Sequence, residues 1–121
     1  AISLVADAEG AIVGHVAISP VTISDGTSGW YGLGPISVEP ALQGQGIGSR
    51  LMREGLAALA GREAAGCVLL GNPTYYRRFG FAVLPGLVYP GPPAANFMGV
   101  RFGVSAPQGE VSYHAAFASK D

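Results

Sequence analysis

The order of patterns along this 121-residue chain predicts one domain of mixed α/β (α+β) class. Three observations carry that expectation. Short apolar or alternating runs occupy both ends of the chain, and one long helical period lies between them. Hydrophobic residues make up 49% of the composition and charged residues only 12%, enough apolar material for a core and too little charge for a disordered chain or a coiled coil. Because the long helix is not repeated after each strand, the pattern suits a mixed sheet better than a doubly wound one.

Residues 2–6 and 12–19 alternate or run apolar on either side of Asp7-Ala8-Glu9-Gly10, a small polar stretch suited to a tight reversal, so they read as a hairpin. After the turn-rich Ser24–Gly29, Trp30–Val38 reads as a third strand that ends at Glu39-Pro40. From Gly46 the period changes: Ile47, Leu51, Met52, Leu56, Leu59 and Ala60 recur at helical spacings, and Gly61 is expected to cap the helix. Cys67–Gly71 is a continuous apolar run, the pattern of a strand buried on both faces. Asn72-Pro73-Thr74 then starts a short helix through Arg78, which Gly80-Phe81 ends. A proline-rich passage, Pro85–Pro93, precedes strand-like stretches near 97–104 and 111–117.

Composition also narrows the partners. A net charge of −1 and a pI near 6.1 supply no basic field, so nucleic acid is not expected as a partner. Cys67 is the only cysteine, which excludes an intrachain disulfide and a multi-cysteine metal site and fits a reducing, cytoplasmic compartment; no metal is expected. There is no run of about 20 apolar residues and no signal-peptide pattern, so no membrane partner is expected either. The chain opens at Ala1 directly on a strand-like run, and the reading includes a single domain over 1–121 truncated at its N-terminus.

The stretch with most chemistry is Val38-Glu39-Pro40-Ala41-Leu42-Gln43-Gly44-Gln45-Gly46-Ile47-Gly48-Ser49, a strand end followed by a glycine-rich loop that runs into a helix. Glycines let the backbone approach a ligand, and the first helical turn presents unpaired N–H groups at the positive end of its dipole, so a phosphate or pyrophosphate is the natural guest. A turn that merely packs tightly is the structural alternative. A P-loop is excluded because its lysine is missing; Lys120 is the only lysine in the chain. A dinucleotide fingerprint fits poorly, since Ser49 falls where the third glycine belongs.

Gln43-Gly44-Gln45-Gly46-Ile47-Gly48 resembles the Gln/Arg-x-x-Gly-x-Gly/Ala pyrophosphate loop of the GNAT superfamily of N-acetyltransferases. Tyr75-Tyr76-Arg77-Arg78-Phe79-Gly80-Phe81 is similar to the later Tyr-x-x-x-Gly-Phe signature of that superfamily, in the right order after a helix and a strand. The wording Gly71-Asn72-Pro73-Thr74-Tyr75-Tyr76, with Tyr113-His114 and Phe117, resembles its YhbS-like branch. The resemblance implies a mostly antiparallel sheet with a splayed strand pair, one long and one short helix, and acetyl-CoA as cosubstrate.

It also implies a division of labour. Backbone atoms of Ile36, Ser37 and Val38 would pair with the pantetheine arm, and N–H groups from Gln43, Gly44, Gln45, Gly46, Ile47, Gly48 and Ser49 would hold the pyrophosphate. Tyr76, four residues before Gly80, takes the place of the phenol that reaches the CoA sulfur as general acid, with Tyr75 left to packing; a core aromatic is the alternative for Tyr76. Asn72 resembles a pantetheine-contacting asparagine, in a compressed register. Glu39 is the carboxylate at the strand end and the candidate base, with a solvated residue beside a proline as its alternative; His15 and His114 are the other candidates. Arg50, Arg53, Arg77 and Arg78 lie where they could approach CoA phosphates or simply face solvent, and Cys67 is expected to be buried structure rather than a nucleophile.

The expected activity is transfer of the acetyl group of acetyl-CoA directly to a primary amine, on a small molecule or a peptide, in a ternary complex. A non-catalytic acyl-CoA-binding module and a Rossmann-like nucleotide binder are the rivals. Trp30-Tyr31 and Pro85–Pro93 are candidates to line the acceptor side, and association of two copies through the C-terminal strands is a further expectation.

Overall fold

The computed structural model describes the backbone of residues 2–8, 11–38 and 46–113 and the side chains of residues 14–34 and 46–113. Strands β1 (Ile2–Ala8) and β2 (Ala11–Ile23) form the expected antiparallel hairpin, with Asp7 and Ala8 inside the strand rather than in the turn. β3 (Trp30–Val38) returns antiparallel to β2. Helix α1 (Ile47–Gly61) leads to β4 (Gly66–Leu70), and α2 (Pro73–Tyr76) runs into a 3₁₀ turn at Arg77–Phe79. β5 (Leu87–Val88), β6 (Phe97–Arg101) and β7 (Gly109–Tyr113) complete the described residues.

The seven strands form one sheet in the order β5-β7-β2-β3-β4-β6, with β1 also on β2. The thirteen-residue β2 accommodates two neighbours in succession along one edge: β1 pairs with residues 11–18 and β7 with residues 21–23. Pairing is antiparallel except for β3 with β4 and β5 with β7. The expected mixed, mostly antiparallel sheet with one long and one short helix is borne out.

Side-chain alternation divides the core between the two faces of the sheet. Val16, Ile18, Leu33, Cys67, Leu69 and Met98 face α1 and bury its Leu51, Met52 and Leu59. On the other face Val21, Ile23, Trp30, Val68, Phe97 and Val111 pack with Leu87. Trp30 is fully buried, and its Nε1 donates to Ser105 Oγ at 3.3 Å.

Several boundaries differ from expectation. The strand near 97–104 stops at Arg101, the last strand runs Gly109–Tyr113, and the expected continuation to 117, with His114 and Phe117, lies outside the described residues. Gly61 is the last helical residue and not the cap. Arg62 is the C-cap and Glu63 takes the left-handed conformation at φ 60°. Glu63 N–H donates to Ala60 O and Ala64 N–H to Leu59 O, both at 3.0 Å, the paired bonds of a Schellman end. Burial of Ala64 beside Leu59 explains why the turn falls there: the apolar contact that closes such an end selects its position.

Candidate active site

The site begins where two parallel strands part. β3 and β4 are in register at Trp30–Gly66, Tyr31–Cys67 and Gly32–Val68, and their pairing stops there. β4 continues to Leu70 on its other partner, β6, while β3 continues to Val38 on β2. Leu33–Val38 therefore carries a strand on one edge only, among the described residues. The cause is local. Val16 pairs with Ile36 and Ile18 with Leu33, so Gly34 and Pro35 together oppose Ala17 in a bulge. Proline has no N–H for a ladder, and a bulge bends and twists its strand, which turns the second half of β3 away from β4. Ile36, Ser37 and Val38 lie on this open edge, with backbone groups available to an extended ligand.

Glu39, Gln43, Gly44 and Gln45 lie outside the described residues, as does His114. Gly46 is the N-cap of α1, at φ 83° and ψ 4°, a left-handed conformation that favours glycine. No side chain caps this helix end among the described residues, and its first turn holds no acidic residue. Its opening N–H groups, with Ile47, Gly48 and Ser49, thus form a positive helix end suited to an anion. His15 is on β2, paired with Ser37 across the strands and half-buried.

α2 brings the aromatic motif to the same region. Asn72 is its N-cap, the side-chain Oδ1 accepting from Thr74 N–H at 2.8 Å, and Pro73 sits at the first helical position where no N–H is needed. The Asn72 carbonyl side of its amide is thus already engaged. Tyr76 is half-buried, its ring edge-on to Phe81 at 6.3 Å and to Tyr75 at 4.9 Å. Burial, with a smaller contribution from the neighbouring Tyr75, pushes its phenol above the ordinary tyrosine range, so it is a proton donor at neutral pH. Gly80, at φ 92°, terminates the 3₁₀ turn.

Tyr75 and Asn96, the latter not singled out from the sequence, also shape this region. Tyr75, expected only to pack, shares a hydrogen bond with Ser49 Oγ at 3.2 Å and so ties α2 to the first turn of α1. Asn96 donates from Nδ2 to Gly71 O and accepts from Gly71 N–H, both at 3.0 Å, which fixes the backbone just before α2. The adjacent tyrosines were the available signal for Tyr75, since neighbouring positions on a helix point about 100° apart and cannot share one role.

The arginines divide. Arg50 pairs with Glu54 at 3.2 Å on the exposed face of α1. Arg53 lies 5.7 Å from the Phe79 ring centre and Arg78 4.6 Å from that of Tyr75, both on the side shared by the two helices, and Arg77 is exposed. Trp30 is core and Tyr31 half-buried at the start of β3, the end of the strand opposite the glycine loop. The depression there, about 320 Å³, is lined by residues such as Val21, Thr22, Thr27 and Tyr31, with no charged side chain among the described residues that line it. Cys67 is fully buried, and no cluster of candidate metal ligands occurs among the described residues.

A mixed sheet whose strands part beside a glycine-capped helix, followed by a tyrosine-bearing short helix, defines an acetyltransferase class of fold. Residues 1–83 match the family model described as the acetyltransferase (GNAT) domain, and the chain belongs to that family. It is 42% identical over 75 residues to YhbS of Escherichia coli strain K12, named an uncharacterized N-acetyltransferase, over 62% of this chain and 45% of that protein. With YjhQ of the same strain, named likewise, it shares 37% over 95 residues, 76% of this chain and 52% of that protein. The chain thus spans about half the length of the curated relatives it matches. A GNAT family acetyltransferase from Brucella melitensis, crystallised in complex with acetyl-CoA, superposes with a TM-score of 0.81 at 55% identity, over 95% of this chain and 67% of that one. Escherichia coli YhbS in complex with CoA superposes at 0.88 with 34% identity, over 98% of this chain and 70% of that one. The family expected from Gln43–Gly48 and Tyr76–Phe81 is borne out.

Proposed function

We propose that the chain is the acetyl-CoA-binding and catalytic part of an N-acetyltransferase that acetylates a primary amine directly, in a ternary complex. The observation that carries this is the open edge of β3 from Leu33 to Val38, which leads toward a helix capped by left-handed Gly46. Extended amides along Ile36, Ser37 and Val38 and anion-binding N–H groups at Gly46–Ser49 match the two ends of a pantetheine diphosphate. The complexes of the Brucella and Escherichia coli relatives with acetyl-CoA and CoA support that ligand.

Acetyl-CoA supplies the thioester. The chain orients it so that an amine nitrogen forms a bond to the acetyl carbon while the carbon–sulfur bond breaks. Tyr76 gives its phenolic proton to the departing sulfur, and the proton released by the amine passes to a base, for which Glu39 is the candidate and His15 the alternative. Gln43, Gly44 and Gln45 complete the diphosphate loop, and the Asn72 side-chain oxygen caps α2, which leaves its amide NH2 for the pantetheine arm. The acceptor is a small molecule or a peptide amine, and a reducing cytoplasmic setting suits the single buried thiol.

Calorimetric titration of the chain with acetyl-CoA, with NAD and ATP as controls, tests the cofactor, and a panel of amines assayed for released thiol tests the reaction. Saturable binding of acetyl-CoA alone is expected, with thiol release that depends on amine. Binding without any amine-dependent release would support the acyl-CoA-binding module, and tight NAD binding without CoA binding would overturn the reading.

A further inference from the structure

Tyr75 and Tyr76 are neighbours on a single turn, and the structure gives them different partners. Tyr76 turns toward Gly71 and Phe81. Tyr75 turns to the start of α1, where its hydroxyl lies 3.2 Å from Ser49 Oγ. Resting on the cofactor reading above, we propose that Tyr75 is a positioning residue that sets the direction of the Ser49 hydroxyl, so that this hydroxyl joins the backbone N–H groups of α1 in binding the diphosphate of acetyl-CoA.

The argument begins with which of the two hydroxyls is held. Tyr75 is fixed from several directions: its N–H donates to Asn72 O at 3.1 Å, and its ring is edge-on to Tyr76 at 4.9 Å and to Phe79 at 5.5 Å. Arg78 packs on it as well, with its guanidinium 4.6 Å from the ring centre and its Nε donating to Tyr75 O at 3.0 Å. Ser49, by contrast, has a short side chain whose hydroxyl rotates to suit its neighbours.

A phenol is the better donor of the two, and its proton on Ser49 Oγ occupies an acceptor site there. The serine proton then has to point elsewhere. Ser49 stands in the first turn of α1, beside N–H groups that no side chain caps among the described residues, so that proton is directed into the same anion-binding end. A hydroxyl donating to a phosphate oxygen is a charge-assisted bond, stronger than a neutral one, which makes its orientation matter to affinity. No bond is made or broken in this role; the phenol acts only through Ser49.

The test is a double-mutant cycle in acetyl-CoA dissociation constant, measured by calorimetry on the whole chain with melting temperatures recorded alongside. Ser49→Ala is expected to weaken binding about tenfold and Tyr75→Phe about threefold, as befits losing a charged and then a neutral hydrogen bond. Ser49→Ala/Tyr75→Phe is expected to bind no more weakly than Ser49→Ala alone, and Ser49→Thr to bind like the parent chain. A structural role for Tyr75 would instead lower the melting temperature and weaken binding by the same factor whether or not Ser49 is present. That outcome, or unchanged affinity in Ser49→Ala, overturns the proposal while leaving the cofactor reading intact. Failure of the parent chain to bind acetyl-CoA is the separate result that removes the cofactor reading itself.

Discussion

The ring of Tyr76 occupies the space that a β-carbon on Gly71 would need. Gly71 is held in turn by Asn96, through a backbone bond on one side and a side-chain bond on the other. The end of β4 is therefore a flat seat for the phenol assigned to proton transfer. Gly71→Ala is expected to push the ring off that seat, costing about 1–3 kcal/mol in urea unfolding as overpacking does. Amine-dependent thiol release should fall at least tenfold, with acetyl-CoA affinity changed much less. Normal turnover in a folded Gly71→Ala variant would separate the seat from the chemistry.

The Tyr76 phenol is held above its ordinary range by burial first and by Tyr75 second. It therefore stays protonated through neutral and mildly alkaline solution, and no loss of rate below pH about 10 should trace to it. Tyr76→Phe is expected to lower turnover about 100-fold at every pH without moving the limbs of the rate profile. The stability sign is fixed by the same shift. Because the folded phenol ionises later than the unfolded one, its contribution is full below pH about 10 and is lost as pH rises through the folded value. Tyr76→Phe should then reduce the alkaline fall in stability, measured by urea unfolding across that range.

Gly46 has a left-handed backbone, and among the described residues nothing lies within 4 Å of where a β-carbon on it would sit. Asparagine tolerates that conformation better than other side chains, whereas a general L-residue there costs about 1–2 kcal/mol. Glutamate adds a negative charge at the proposed diphosphate position. Acetyl-CoA affinity is expected to drop at least tenfold in Gly46→Glu and to remain within about threefold in Gly46→Asn, since only the former puts a competing negative charge at the anion-binding helix end. Equal losses in both, by calorimetry, would point to backbone geometry alone.

What was legible in the sequence was what depends on neighbours a few residues apart. The α1 period, the glycine loop and the run from Asn72 to Phe81 are local patterns, and the chemistry they imply survives small errors in boundary. The parting of β3 from β4 was implied by family resemblance, yet its cause, the bulge at Gly34-Pro35, depends on how Val16 and Ile18 pair across the sheet. β5 is two residues inside the proline-rich passage and is a strand only because β7 runs beside it. Asn96 reaches Gly71 across 25 positions and Tyr75 reaches Ser49 across 26, separations at which no spacing rule operates.

Cys67 is completely buried between the α1 face and the sheet, and burial alone pushes its thiol well above the ordinary range. A thiol so placed is neither nucleophile nor ready target. Labelling by an aromatic disulfide at pH 8 is expected to proceed only at the rate of global unfolding and to speed up in urea in step with loss of structure. Rapid labelling of the native chain would contradict the burial. The unfolded thiol ionises near 9.0 while the folded, desolvated one ionises only well above that, so this residue also withdraws stability as pH rises above that point.

The end of α1 carries two glycine choices that are the wrong way round for stability. Glu63 holds a left-handed φ of 60°, which glycine adopts without a β-carbon penalty, while Gly61 is helical with nothing among the described residues within 4 Å of where its β-carbon would sit. The bonds that close the helix use the backbone of Glu63 and Ala64, and Glu63 makes no ion pair among the described residues, so changing its side chain removes no contact found there. Glu63→Gly is expected to stabilise by relieving the left-handed strain, offset in part by the greater freedom of glycine in the unfolded chain, for a net gain of about 0.5 kcal/mol. Gly61→Ala should add about 0.5–1 kcal/mol through helix propensity and lower unfolded-state entropy. The two sites share one helix end, so the double variant checks whether the gains add. Urea unfolding with an unchanged m-value is the measurement, and a loss of stability in Glu63→Gly would show that the carboxylate, not the backbone, decides the residue at this turn.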